Sequence, residues 1–176
     1  MANNTYISSN GRIIPIRPVA AMALQILKEN VRKECVEEGL QLSAPTYTVV
    51  TGVGVEETYT HDDESIKTAT PEEQRKWKLW ELGINELTVR TTFGLIRLIL
   101  TKGVKLPPLD AETREGWEEL GVTFPEDKAS CYIAYMKLEY LPTPADVQNL
   151  TRAILALSQT GAPKEQIDAV EALFRR

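Results

Sequence analysis

Histidine is almost missing from this chain: His61 is the only one in 176 residues. Cysteine is nearly as scarce, with Cys35 and Cys131 alone. Two thiols and one imidazole, far apart in sequence, do not make a zinc site without further ligands. A single histidine leaves little to activate a nucleophile, and no serine sits in a glycine elbow. Two cysteines in a chain of this kind are expected to stay reduced. The start, MANNTYISSNGR, has no apolar signal core, so secretion is not expected. Long apolar runs are also missing. The stretch from Phe93 to Leu100 is far too short to cross a membrane and contains Arg97. Basic charge is in deficit, with 20 Lys and Arg against 25 Asp and Glu. A nucleic-acid surface needs a basic stripe, so none is expected. There is no useful internal repeat and no low-complexity segment.

The hydrophobic set makes up 43% and charged residues 26%, the balance of an ordinary soluble domain. The length suffices for one sizeable core. The expected organisation is an N-terminal arm or edge strand over residues 1–17, then a single mainly helical domain over residues 18–176. That domain carries a β-hairpin at about residues 45–61. The expected fold class is mostly α: a helical bundle around one long, kinked or unkinked central helix, with a small N-terminal β-hairpin.

The central helix runs from Thr70 to Gly103. Thr70 serves as N-cap, Pro71 suits the first helical position and Glu73 completes a capping box. Glu72 and Glu73 also lie at the positive end of the helix dipole. Lys102 and Gly103 read as its end, with Gly103 free to turn left-handed. Trp77, Trp80, Ile84 and Leu87 share one face, and Val89, Phe93, Ile96 and Leu100 make a second stripe. Leu95, Leu98 and Ile99 fill much of the rest, so the C-terminal part should be buried nearly all round. Arg97 then needs a surface outlet or a partner. Such a helix is about 48 Å long, against a radius of gyration of about 16 Å for a globule of this size. A kink or break is expected at Gly94 in preference to Gly83, since glycine is poor in helix interiors. The alternative is an overhanging N-terminal half that offers Trp77 and Trp80 to a partner.

The polar residues 1–11 read as a tail or arm, and the segment from Arg12 to Arg17, broken by Pro15, as an edge strand or extended arm. A first helix spans Val19 to about Glu38, with Met22, Ile26, Leu27, Val31 and Cys35 on its apolar side and Gly39 at its end. From Pro45 to Thr60 the period changes to that of a hairpin turning between Thr51 and Gly54. Two strands alone are marginal. Residues 12–17 are a candidate third strand, and a helix should cover the other face. Asp110 caps a short acidic helix with Trp117 and Leu120. Glu126 to Leu141 forms another, with Tyr132, Tyr135, Met136 and Tyr140 at helical spacing. Thr143, Pro144 and Asp146 repeat the start signal of Thr70, opening a helix that Gly161 ends. Pro163 opens a last helix with Ile167, Val170, Leu173 and Phe174, and the two form a helical hairpin.

Chemistry has few places to stand. His61, Asp62, Asp63 and Glu64 form the one dense cluster of metal or acid–base groups, but neighbouring side chains on a loop diverge. The stretch Thr51-Gly-Val-Gly54 lacks the lysine and following helix of a phosphate loop. Glu118 and Glu119 are adjacent on a helix and face different ways. The chain therefore reads as no enzyme, with no catalytic, cofactor-binding or metal-ligating residues. Candidate partner-binding residues are Trp77, Trp80, Ile84, Leu87, Tyr132, Tyr135 and Phe174, since aromatic groups serve interfaces as well as cores.

Taken in order, several stretches carry a resemblance. They are Asn-Gly-Arg-Ile-Ile-Pro-Ile-Arg-Pro at residues 10–18, Pro45-Thr-Tyr47, and His61-Asp62 with the Thr-Pro-Glu-Glu start and tryptophan of the central helix. Next come Arg-Leu-Ile-Leu-Thr-Lys-Gly at residues 97–103, a tryptophan-bearing acidic helix and Gly121-Val-Thr-Phe-Pro125. Last are Arg-Ala-Ile-Leu-Ala-Leu-Ser at residues 152–158 and Val170-Glu-Ala-Leu-Phe174. Together they make the chain resemble a tailed-phage tail assembly chaperone of the siphovirus type. The resemblance implies a small, largely helical, non-catalytic protein of the host cytoplasm. It implies binding to the phage tape-measure protein and/or tail-tube protein during tail assembly, and absence from the finished particle. Self-association is a further expectation; a membrane or nucleic-acid partner is not. Two other readings remain: a structural virion subunit of the tail or neck, whose residues 1–17 reach a neighbour, and a small metal-dependent hydrolase centred on His61.

Overall fold

The structure, a computed structural model, describes residues 4–52 and 54–158. Gly161, the helix read from Pro163, the hairpin it would complete and Phe174 lie outside the described residues. The fold is mostly α, as expected, with one long helix and small β-hairpins. In chain order come β1 (Thr5–Ile7), β2 (Ile13–Pro15), α1 (Ala21–Glu37), β3 (Thr46–Val50) and β4 (Glu56–Thr60). A 3-10 turn (Ser65–Thr68) precedes α2 (Pro71–Gly103), α3 (Ala111–Glu119), α4 (Lys128–Glu139) and α5 (Pro144–Ser158). No helix among the described residues is long and apolar enough to cross a membrane. The described chain divides into two compact units, one built from residues up to Leu27 and from Thr92 onward, the other from Lys28–Thr91.

The long helix starts where its sequence says. The Glu73 N–H donates to Thr70 Oγ1 (3.3 Å) and the Thr70 N–H to Glu73 Oε2 (2.8 Å), closing the capping box. The Thr70 hydroxyl (2.6 Å to Oε2) and then the Thr70 N–H, both donating to the Glu73 carboxylate, hold it below its usual pKa. The helix then runs unbroken to Gly103, and neither Gly83 nor Gly94 interrupts it. Their reason for being glycine is tertiary. A Cβ on Gly83 would stand 2.3 Å from the backbone oxygen of Gln41, and one on Gly94 would stand 3.0 Å from Leu27 Cδ1. Gly103 is likewise not a left-handed terminus. It admits Ile154, whose Cγ2 would lie 2.6 Å from a Cβ there.

The unit containing both ends of the described chain holds the larger core. Ile14, Val19, Leu24, Leu95, Ile99, Leu100, Met136, Leu141, Leu150 and Ile154 bury one another. The expected arm is folded in: β1 and β2 pair antiparallel, with Tyr6 opposite Ile14, and Ile14 is fully buried. Residues 12–17 do not supply a third strand to the later hairpin. Instead the chain beyond β2 pairs with the exit of α2, through Ile16 and Val104 and a bond from Arg17 N–H to the Gly103 carbonyl (2.8 Å). Asp146 fastens the turn of the β1–β2 hairpin. It accepts from the Ser9 N–H (2.8 Å), the Ser9 hydroxyl (2.6 Å) and the Thr143 hydroxyl (2.6 Å). Burial alone would raise its pKa. The bonds from Ser9 and Thr143 outweigh that and bring it down to about 2. α4 begins after Asp127, which caps it and also meets Arg97 (2.8 Å), so Arg97 has both a surface outlet and a partner.

Burial departs from the expected stripes on two helices. On α1, Met22 and Ile26 are exposed, and the inward row is Leu24, Leu27, Val31 and Cys35. Three apolar residues within Met22-Ala-Leu24 offer two overlapping stripes, and packing selects the second. On α2, Val89 and Phe93 are exposed although a buried stripe was expected through them.

The second unit contains β3 and β4, paired with Tyr47 opposite Tyr59. Gly54 takes the left-handed conformation (φ 75°) that the turn requires. Among the described residues no helix covers this hairpin fully, since every residue of β4 is exposed. It is anchored at one end: Tyr47 lies against the His61 ring at 4.6 Å, and the His61 N–H donates to the Pro45 carbonyl (3.0 Å). Elsewhere in this unit Arg90 grips both carboxylate oxygens of Glu38 (2.7 Å each) and also Glu86 (2.7 Å).

Candidate partner-binding groove

The acidic cluster around His61 diverges, as loop neighbours should. The Asp62 carboxylate accepts from the Ser65 N–H (2.7 Å) and the Glu64 N–H (3.1 Å), which holds its pKa down, while Glu64 pairs with Lys67 (2.7 Å). His61 is buried and its Nε2 stands 3.6 Å from Glu73 Oε1, beyond a hydrogen bond. Among the described residues, no three His, Cys, Asp or Glu side chains converge as a metal site would require.

The concavity of interest lies in the larger unit, where α4 ends and α5 begins. The α4 terminus is tied off by Tyr140 and Leu141 N–H groups donating to the Met136 carbonyl. Two residues later Thr143 caps α5: the Asp146 N–H donates to Thr143 Oγ1 (3.1 Å), and the Thr143 N–H donates back to Asp146 Oδ2 (3.2 Å). The link between the helices is thus fixed at both ends, and Pro142 and Pro144 stiffen it further. Its rings, with Leu138, Leu141, Val147 and the α2 side chains Phe93 and Ile96, line a groove of about 450 Å³. Among the described residues that line it, Lys137 is the one charged group, and Gln148 and Thr143 are the other polar ones. Phe93 is 70% exposed, an unusual state for a phenyl ring beside so much apolar surface.

No family model, curated protein or solved structure matches the chain.

The aromatic residues singled out by sequence are mostly packed. Trp77 is buried, with Trp80 half-buried beside it at 4.5 Å between ring centroids, and Ile84 and Leu87 are half-buried. Tyr132 is half-buried and its hydroxyl accepts from the Leu106 N–H (3.0 Å). Tyr135 is buried edge-on to Tyr140; burial, and then the hydrogen bond between them, raises its pKa. None of these lines the groove. Sequence reading placed Phe93 in a buried stripe, and it took Pro144 only as part of a helix start. The one available signal was the spacing of the two prolines, which leaves a short rigid link flanked by leucine and valine.

Proposed function

We propose that this chain is a non-enzymatic tail assembly chaperone of a siphovirus-type phage, working in the host cytoplasm. It holds an apolar segment of the tape-measure or tail-tube protein until assembly takes that segment up. The observation that carries the reading is the exposed Phe93 at an apolar groove with one cation. A client helix would lay two or three apolar side chains into it and meet Lys137 with an acidic residue. The rival structural-subunit reading relied on an extended arm, whereas Ser9 is bound to Asp146 and Ile14 is buried.

The test is an affinity pull-down from phage-producing cells, with mass spectrometry of the eluate and of purified particles. Tape-measure or tube protein in the eluate, with this chain absent from particles, supports the chaperone. Stoichiometric presence in particles overturns it. Phe93→Asp should lower client recovery about tenfold or more, the loss expected for an interface anchor. Its thermal midpoint should stay unchanged, because the ring is exposed in the free chain.

A further inference from the structure

The unit Lys28–Thr91 carries an apolar face of its own, distinct from the groove. Leu79 is 47% exposed, Leu82 65% and Val89 39%. With Glu86 they follow three-four-three spacing along α2, the seam of one helix that pairs with another. The charges on this seam narrow the choice of partner. Arg75 lies one turn before Leu79 and Glu86 one turn after Leu82. Opposite signs therefore bracket the leucine pair, an order that complements itself when reversed.

We propose that this face binds a second copy of the chain, with the two α2 helices antiparallel. Leu79 of each copy packs on Leu82 of the other. That register sets Arg75 of one copy opposite Glu86 of the other, and two-fold symmetry repeats the pair. A parallel pairing in register would oppose Arg75 to Arg75 and Glu86 to Glu86, which repel. Glu86 can serve both Arg90 and the second copy. It accepts from Arg90 Nε through one oxygen, and its side chain remains 43% exposed. The contact is small, so the dimer is weak and concentration-dependent.

Sedimentation equilibrium of the full chain over a wide concentration range tests this at low salt. The wild-type chain should dimerise reversibly, and Leu82→Asp should remove the dimer. Arg75→Glu and Glu86→Arg each place like charges across the antiparallel seam, weakening self-association about tenfold. The double variant restores the pairs and should recover the wild-type dimer. A wild-type chain that stays monomeric overturns the proposal, as does a double variant no better than the singles. Circular dichroism of each variant checks that helix content is kept. Should Glu86→Arg fail to fold for want of its Arg90 pair, Arg75→Glu and Leu82→Asp decide alone: a dimer that survives both overturns the proposal. A monomeric chain whose Leu82→Asp variant loses client recovery would assign the face to the client and not to a second copy.

Discussion

Replacing Asp146 with alanine should cost about 3 kcal/mol of stability. The Asp146 carboxylate is itself buried, and the charge-assisted bonds it takes from the Ser9 N–H and from the Ser9 and Thr143 hydroxyls are lost together. For a chain of this length that is a fall of about 9 °C in thermal midpoint, read by calorimetry. The same carboxylate makes the unit acid-sensitive. Its folded pKa is about 2, below the ordinary aspartate value, so the native state holds fewer protons than the unfolded chain in between. The stabilisation is complete above about pH 4 and is lost as pH falls toward about 2. Urea unfolding across that window should show a steep decline in the wild-type chain and a flatter one in Asp146→Asn. Equal slopes would mean that the hydrogen bonds to Asp146 do not survive in solution.

A second large effect is expected at Gly83, and its sign is the test. Helix propensity alone says that Gly83→Ala should stabilise α2 by about 1 kcal/mol. The structure says otherwise, because the added methyl would sit 2.3 Å from the Gln41 backbone oxygen and 3.1 Å from its carbon. Backbone atoms cannot swing aside as a flexible side chain can. Overpacking of this kind costs about 3 kcal/mol, so the net change should be a destabilisation of about 2 kcal/mol once the propensity gain is subtracted. Gly116→Ala is the matched control. That glycine also lies within a helix, α3, but a Cβ there meets nothing within 4 Å. It should stabilise the chain by up to about 1 kcal/mol. Denaturant midpoints of the two variants should therefore move in opposite directions. A stabilised Gly83→Ala chain would show that Gln41 does not approach the helix so closely.

These two glycines also show where sequence reading succeeds and stops. The start of α2 was legible to the residue, because Thr70, Pro71 and Glu73 act on each other within one turn. The caps Asp110 and Thr143 were legible for the same reason. The meaning of Gly83, Gly94 and Gly103 was not, since each faces a segment distant in sequence: Gln41, Leu27 and Ile154. The hairpin of β3 and β4 announced itself by alternation and a glycine turn. That of β1 and β2 did not, because three-residue strands have too little pattern to read. The groove was hidden for a different reason. Phe93, Leu138 and Val147 come from three helices, and helical spacing alone cannot tell a ring that is covered from one that is left open.

The bond between Ser9 and Asp146 joins residues 137 positions apart. Contacts of such span form slowly, and during synthesis this one must wait until α5 has left the ribosome. Lys28–Thr91, by contrast, is one continuous stretch. It can close while the chain behind it is still being translated. The β1–β2 segment, though made before that stretch, is locked in place only after it.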